Sequence, residues 1–142
     1  HLGENIVDTV SGCAMLMKRS VFSLLEGFNP DLFWMEDIDF CVRAKERGYE
    51  TIFFPNAQII HYGGQSSKSN VKVRISNQVL SKIKYFKIHH TKIEIIILNV
   101  AALISILFKL ILLMPTLIFF KSDNSKFFAY LYTLKLFIKR RF

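Results

Sequence analysis

The segment FWMEDIDFCVRAKERGYE, residues 33–50, decides how the first half of the chain folds. Apolar residues recur at helical spacing over about residues 38–47, and Gly48 follows, so the segment predicts an amphipathic helix. Three acids occupy four positions at its start, where negative charge complements the positive end of the helix dipole. That benefit does not require the aromatic pair Phe33 and Trp34 in front of them. Phe33 and Trp34 either pack in the hydrophobic core or line a pocket that contains a functional carboxylate.

The flanking segments predict further short elements. IVDTVSGCAMLMKRSVF predicts a mostly apolar strand and then a helix over about residues 19–25, which Gly27 ends. YETIFFPNAQIIHYGG predicts two short strands broken at Pro55, with His61 at the end of the second. About 60 residues cannot supply a sheet of five or more strands covered on both faces. We therefore expect an α/β remnant that lacks an upstream part, which agrees with a chain that opens without Met.

Charge divides the chain into two halves. Residues 1–64 hold five Lys/Arg against nine Asp/Glu, a net of −4, whereas residues 65–142 hold fourteen against two, a net of +12. With 51% hydrophobic residues the chain is not a disordered polymer. Cys13 and Cys41 lack CxxC or Cys/His spacing, which argues against a zinc site and predicts two buried free thiols in a reducing compartment.

Three motifs follow one another between Val10 and Ser66, a span of 57 residues: SGCAML, GFNPDLFWMEDIDFCVRAKERGY and PNAQIIHYGG. Together they resemble the C-terminal half of the catalytic domain of family 2 glycosyltransferases, especially the bacterial rhamnosyltransferase-like branch. Any one motif alone would be a weak signal. The resemblance implies an α/β fold, with residues 1–66 forming the C-terminal portion of a GT-A (Rossmann-like) glycosyltransferase domain, its acceptor and base side, and with the nucleotide-binding half absent.

The resemblance also implies roles at the catalytic centre. An inverting transferase needs a carboxylate that takes the proton of the acceptor hydroxyl as it attacks the sugar donor. Asp37 would be this base, and Glu36 the second catalytic carboxylate beside it. Phe33 and Trp34 would bind substrate and exclude water, with Trp34 either stacked on the acceptor sugar or acting as a hydrophobic plug. From the residues alone, Asp37 is more typical of a helix cap.

The DID tripeptide is not expected to be a metal motif. Two residues apart on a helix, Asp37 and Asp39 would lie on nearly opposite sides. Asp39 is therefore predicted to be a first-turn acid that favours the helix dipole.

A metal ligand is implied further along the chain. By the resemblance, His61 would help to hold Mg²⁺ or Mn²⁺, shared with the missing upstream half, against the donor's diphosphate. Without the resemblance, a His at the end of a strand is usually only a polar residue that ends the strand and not a metal ligand. Gly12, Gly63 and Gly64 would let the backbone approach substrate or phosphate closely, although strand packing explains Gly12 equally well.

The second half predicts a basic linker helix at residues 67–92 and membrane-associating helices at residues 93–142. The stretch from Glu94 to Phe120 is long enough to cross a bilayer. At 100° per residue, however, its polar positions fall within about 60° of one another; they are Glu94, Ser105, Lys109 and Thr116. This stripe agrees with a helix that lies in the membrane interface or packs in a bundle about as well as with a simple membrane span. Pro115 is predicted to kink or end the helix.

The final segment, KFFAYLYTLKLFIKRRF, has an apolar stripe edged by cations, which is typical of a helix on an anionic membrane surface. A soluble helical bundle is the alternative. No nucleic-acid motif accompanies the basic residues, so nucleic acid is not an expected partner.

These features together predict a transferase at the cytoplasmic face of the cell membrane, peripheral or integral. It would move a sugar such as rhamnose from a nucleotide-sugar donor to a lipid-linked or polysaccharide acceptor. A non-catalytic, membrane-associated remnant or interaction module is the alternative.

Overall fold

The computed structural model describes residues 5–63, 70–119 and 124–139, and the chain divides into two compact units, His1–Gly63 and Gly64–Phe142. The first unit contains β1 (Asn5–Val7), a 3₁₀ turn (Gly12–Ala14), α1 (Arg19–Leu24), α2 (Glu36–Glu46) and β2 (Thr51–Phe53). The second contains α3 (Val71–His89), α4 (Lys92–Phe119) and α5 (Ser125–Lys139).

The core of the first unit joins α1 to α2. Val21 and Leu25 meet Phe40 and Ala44 of α2 in one buried cluster. Removing each large apolar side chain from water stabilises the fold by about 1.5–3 kcal/mol. These contacts position α2, whose first turn carries the candidate carboxylates.

The expectation of a Rossmann-like α/β domain is wrong for this structure. In the described residues, the sheet consists of β1 and β2 alone, which pair antiparallel with Ile6 opposite Ile52. A Rossmann-like domain needs a parallel sheet of several strands. The strand predicted after Pro55 also does not form: residues 57–62 are exposed and have no ladder partner. An unpaired segment gains no ladder hydrogen bonds, so its apolar pattern alone does not make a strand.

The helices of the first unit lie close to their predicted positions. α2 begins at Glu36, two residues earlier than predicted, and Gly48 follows its end with φ +81°. Gly27, with φ +75°, donates its N–H to the carbonyl oxygen of Phe22 at 2.9 Å and closes α1. Both glycines take the left-handed conformation that commonly ends helices.

The prediction of two buried thiols holds for one cysteine only. Cys41 is buried in α2, whereas Cys13 is exposed. Cys13 lies in the 3₁₀ turn, where the Ser11 hydroxyl donates to its Sγ at 3.0 Å. Because this stretch turns instead of continuing as a strand, Cys13 does not point into the core.

In the described residues, the second unit is a group of three helices. Ile83 of α3, Ile106 of α4 and Phe137 of α5 form its buried centre. Among the described helices, α4 is long and apolar enough to cross a membrane, and most of its apolar surface is exposed in this unit. α4 continues past Pro115 to Phe119, so of the two predicted effects of this proline, a kink or an end, the end is not observed.

A capping box begins α4. The Thr91 hydroxyl and backbone N–H donate to Glu94 Oε2 at 2.7 and 2.9 Å, and the Glu94 N–H donates to Thr91 Oγ1 at 3.4 Å. Reciprocal bonds of this kind satisfy N–H groups that a helix start leaves without intrahelical partners. The box fixes where the apolar run of α4 begins.

Candidate functional site

The Asp37 carboxylate is held by two backbone groups at the start of α2. Its Oδ2 accepts a hydrogen bond from the N–H of Gly12 at 2.8 Å, and its Oδ1 accepts one from the N–H of Ile38 at 2.9 Å. Both oxygens are therefore oriented. A carboxylate offers about four lone-pair positions. Two remain after these bonds, enough to accept a hydroxyl from a bound molecule.

The close approach of Gly12 to Asp37 depends on the missing side chain. A Cβ at position 12 would lie 3.3 Å from Asp37 Cβ and 3.5 Å from Oδ2. The first distance is tighter than ordinary van der Waals contact, so a side chain there would displace the carboxylate or the turn. Strand packing does not explain Gly12, because it lies in the 3₁₀ turn.

Glu36 and Trp34 each bury a polar atom without a partner. Within the described residues, Glu36 Oε2 and Trp34 Nε1 are sealed from solvent and form no hydrogen bond. Burial raises the pKa of Glu36 above its usual value, and the charge of Asp37 adds to the shift. An unsatisfied buried polar group costs about 1–3 kcal/mol. One atom needs a donor and the other an acceptor, and hydroxyl groups supply both.

The aromatic pair forms an edge rather than a closed wall. The Phe33 and Trp34 rings pack T-shaped with centroids 6.0 Å apart, but Phe33 is 54% exposed and Trp34 is half-buried. Phe33 is therefore not a core anchor. The pair leaves aromatic surface beside the first turn of α2, available to the apolar face of a ligand.

Asp39 has a role that its position in the sequence did not indicate. It is fully buried, and its Oδ2 accepts from Arg43 Nε at 2.8 Å. The same guanidinium donates to the carbonyl oxygens of Leu25 at 2.6 Å and Gly27 at 2.9 Å. The pair thus ties α2 to the end of α1. The i, i+4 spacing of Asp39 and Arg43 is a signal that could have found it.

His61, the predicted metal ligand, is not part of a cluster of potential metal ligands in the described residues. His61 is exposed in a segment without strand structure, and a Cβ on Gly63 would meet its ring at 3.8 Å. Across residues 5–63, 70–119 and 124–139, no three His, Cys, Asp or Glu side chains cluster as a metal site. One imidazole does not fix a divalent cation, so the described residues alone do not hold Mg²⁺ or Mn²⁺. Gly64 lies outside the described residues.

A cavity of about 260 Å³ in the first unit does not coincide with the carboxylates. It is lined by the strand pair and by Lys45, at the other end of α2 from Asp37. Lys45 donates there to Asp8 at 2.7 Å, which lowers the pKa of Asp8. This cavity is therefore separate from the first turn of α2 and its carboxylates.

Two rhamnosyltransferases match part of the chain. The N-acetylglucosaminyl-diphospho-decaprenol L-rhamnosyltransferase of Mycobacterium tuberculosis (strain H37Rv) is 32% identical over 65 residues, which are 45% of this chain and 21% of that protein. Rhamnosyltransferase WbbL of Escherichia coli (strain K12) is 33% identical over 67 residues, 46% of this chain and 25% of WbbL. These partial matches relate the chain to glycosyltransferases.

The matched stretch spans about one fifth to one quarter of the length of these relatives. No protein-family model matches the chain. No solved structure matches it either.

Proposed function

We propose that this chain is part of a membrane-associated glycosyltransferase in which Asp37 is the general base. The observation that carries the proposal is the Asp37 carboxylate, oriented at a helix start by Gly12 and Ile38 with acceptor capacity to spare. The partial similarity to two rhamnosyltransferases supports the reaction class. The reaction would transfer a sugar such as rhamnose from a nucleotide-sugar donor to the hydroxyl of a lipid-linked or polysaccharide acceptor.

In this reaction Asp37 accepts the proton of the acceptor hydroxyl as the oxygen attacks the anomeric carbon. The bond to the nucleoside diphosphate breaks, and the inverted glycoside forms. Positioned proton transfer of this kind contributes about 10²–10⁴-fold to a rate. The two backbone hydrogen bonds hold the carboxylate in place before the acceptor arrives, which reduces the cost of orienting it.

The neighbouring groups of Asp37 would bind the acceptor. Sugar hydroxyls can donate to the two lone-pair positions that the Asp37 carboxylate keeps after its backbone hydrogen bonds. The exposed ring of Phe33 would contact the apolar C–H face of the sugar. Glu36 supports the reaction as the second carboxylate of the site.

We further propose that other parts of a longer protein bind the nucleotide donor, because the matched stretch covers only a fraction of the relatives. The second unit would hold the enzyme on the cytoplasmic face of the membrane, with the exposed apolar surface of α4 in contact with lipid. Its lysines would add attraction to anionic lipid.

A transfer assay with the protein as its native cell produces it tests the proposal. The purified protein is incubated with nucleotide-sugar donors and a polyprenyl-diphosphate-linked sugar. The mass of the lipid product is then measured by mass spectrometry. We expect a mass gain of one deoxyhexose or hexose. If every donor and acceptor pair gives only donor hydrolysis or no change, the chain is a non-catalytic module and the proposal fails.

A further inference from the structure

The polar stripe of α4 borders a cavity that sugar transfer does not use. The cavity, of about 300 Å³, lies among α3, α4 and α5 in the second unit. This volume is at the lower end of the range for small-molecule sites. Its polar lining residues come from all three helices: Gln78, Lys82, Ser105, Lys109 and Tyr130. The other lining residues are aliphatic, so the cavity combines an apolar wall with a few convergent polar groups.

The charge of the cavity is positive. Lys82 and Lys109 line it, and none of its described lining residues is acidic. The Lys109 ammonium lies 5.1 Å from the centroid of the Tyr130 ring, a cation–π contact that holds it toward the cavity wall. Within the described part of the chain, neither ammonium is paired with a carboxylate. Two such cations with nearby hydroxyls suit an anion with several oxygens, as in a phosphate group.

The cavity lies at the edge of the exposed apolar face of α4. Ile104, Phe108 and Ile111 are 62, 59 and 65% exposed and share one side of the helix. At 100° per residue, Ser105 falls about 90° and Lys109 about 130° around from the centre of that side. A membrane that covers the apolar face would therefore place its headgroup layer beside the cavity.

The packing of α3 supports this arrangement. α3 contacts α4 and carries further exposed lysines besides the one that lines the cavity, Lys84 and Lys87. Charged side chains are costly in the hydrocarbon core. A helix that lies in the interface, with its apolar side toward the acyl chains and α3 toward water, avoids that cost.

We propose that this cavity binds the phosphate headgroup of an anionic membrane lipid, a phosphomonoester or a diphosphate. Lys82 and Lys109 contact the phosphate oxygens, and Ser105 donates its hydroxyl. The acyl chains lie along the exposed apolar face of α4. This site lies in the second unit, and its occupancy does not depend on sugar transfer by the first.

Vesicle flotation of the 142-residue chain tests the site. One set of phosphatidylcholine vesicles contains phosphatidic acid, which has a phosphomonoester headgroup. A second set contains phosphatidylglycerol, added until its surface potential equals that of the first. The quantity measured is the preference, the ratio of affinities for the two sets. We expect the unaltered chain to prefer phosphatidic acid, and Lys82→Gln or Lys109→Gln to reduce the preference about fivefold.

The matched control is Lys135→Gln, which removes an exposed charge of α5 outside the cavity. It should weaken binding to both vesicles alike and leave the preference unchanged. Ser105→Leu keeps every charge but fills the cavity, and we expect it to abolish the preference. Because Ser105 is exposed, this variant is expected to fold, and circular dichroism checks its helix content.

Two results would overturn the proposal. If Lys135→Gln alters the preference as much as Lys109→Gln, or Ser105→Leu leaves it intact, the lysines act only through general surface attraction. If inorganic pyrophosphate binds the detergent-solubilised chain as tightly as the vesicles do and removes the preference, the occupant is a soluble phosphate and not a lipid.

Discussion

The backbone N–H of Gly12 donates to Asp37 Oδ2 at 2.8 Å and so connects a 3₁₀ turn to the first turn of α2 across 25 positions of sequence. The bond orients the carboxylate that we propose as the base. It also explains why position 12 has no side chain, since a Cβ would lie 3.3 Å from the Cβ of Asp37. The candidate site is therefore a pair of turns, and the core between α1 and α2 holds them together.

Gly12→Ala should reduce the rate of transfer about tenfold or more, because the added methyl group displaces the carboxylate from its position. Gly48→Ala is the matched control. Its backbone has φ +81°, so alanine there costs about 1 kcal/mol of stability, but nothing lies within 4 Å and Asp37 does not move. Steady-state kinetics and thermal unfolding of both variants separate the two effects. Equal loss of activity in both would contradict the geometric role of Gly12.

Glu36 should make stability depend on pH. Burial raises its pKa above the usual 4.5, so the folded state favours the protonated form. This contribution to stability is fully present below the unfolded-state pKa and is lost as pH rises through the higher, folded-state pKa. Glu36→Gln should therefore be more stable than the unaltered chain at neutral pH, with the difference shrinking as the pH falls through the folded-state pKa and smallest below about pH 4.5.

Denaturant unfolding across this pH range measures the effect of Glu36. Glu50→Gln removes an exposed carboxylate outside α2 and serves as the control. If Glu36→Gln raises the free energy of unfolding by the same amount at every pH, burial of the ionised carboxylate is not the cause.

Arg43→Ala should destabilise the first unit by about 3 kcal/mol, because it removes the guanidinium that pairs with the buried Asp39 and that donates to the carbonyls of Leu25 and Gly27. Arg47→Ala changes an exposed residue just after α2 and should cost less than about 0.5 kcal/mol. Chemical denaturation compares them. If both variants lose a similar free energy of unfolding, the Arg43 contacts contribute little to stability.

The sequence allowed the helices to be predicted better than the sheet. The apolar period and terminal glycines located α1 and α2 within two residues, because those signals act within one or two turns of the chain. Strands need partners that are distant in sequence. The apolar run after Pro55 therefore looked like a strand but has no ladder partner in the described residues.

The candidate site was predictable only in part. Asp37 and its acidic and aromatic neighbours were identified from one continuous segment. The contact with Gly12 could not be derived from spacing, since it depends on how the 3₁₀ turn packs against α2. The burial of Asp39 was not predicted, because the helix dipole already explained an acidic residue in the first turn of α2. The roles of His61 and the glycines around it remain predictions.

The most direct test of the central claim is the rate of sugar transfer by Asp37→Asn in the protein as its native cell produces it. The substitution keeps the shape but leaves one acceptor oxygen for the N–H groups of Gly12 and Ile38, and it cannot take a proton. We expect kcat to fall about 10²–10⁴-fold with little change in KM. Asp31→Asn, which alters an exposed carboxyl in the preceding turn, should retain full activity. An Asp37→Asn enzyme that turns over at the unaltered rate would contradict the assignment of Asp37 as the base.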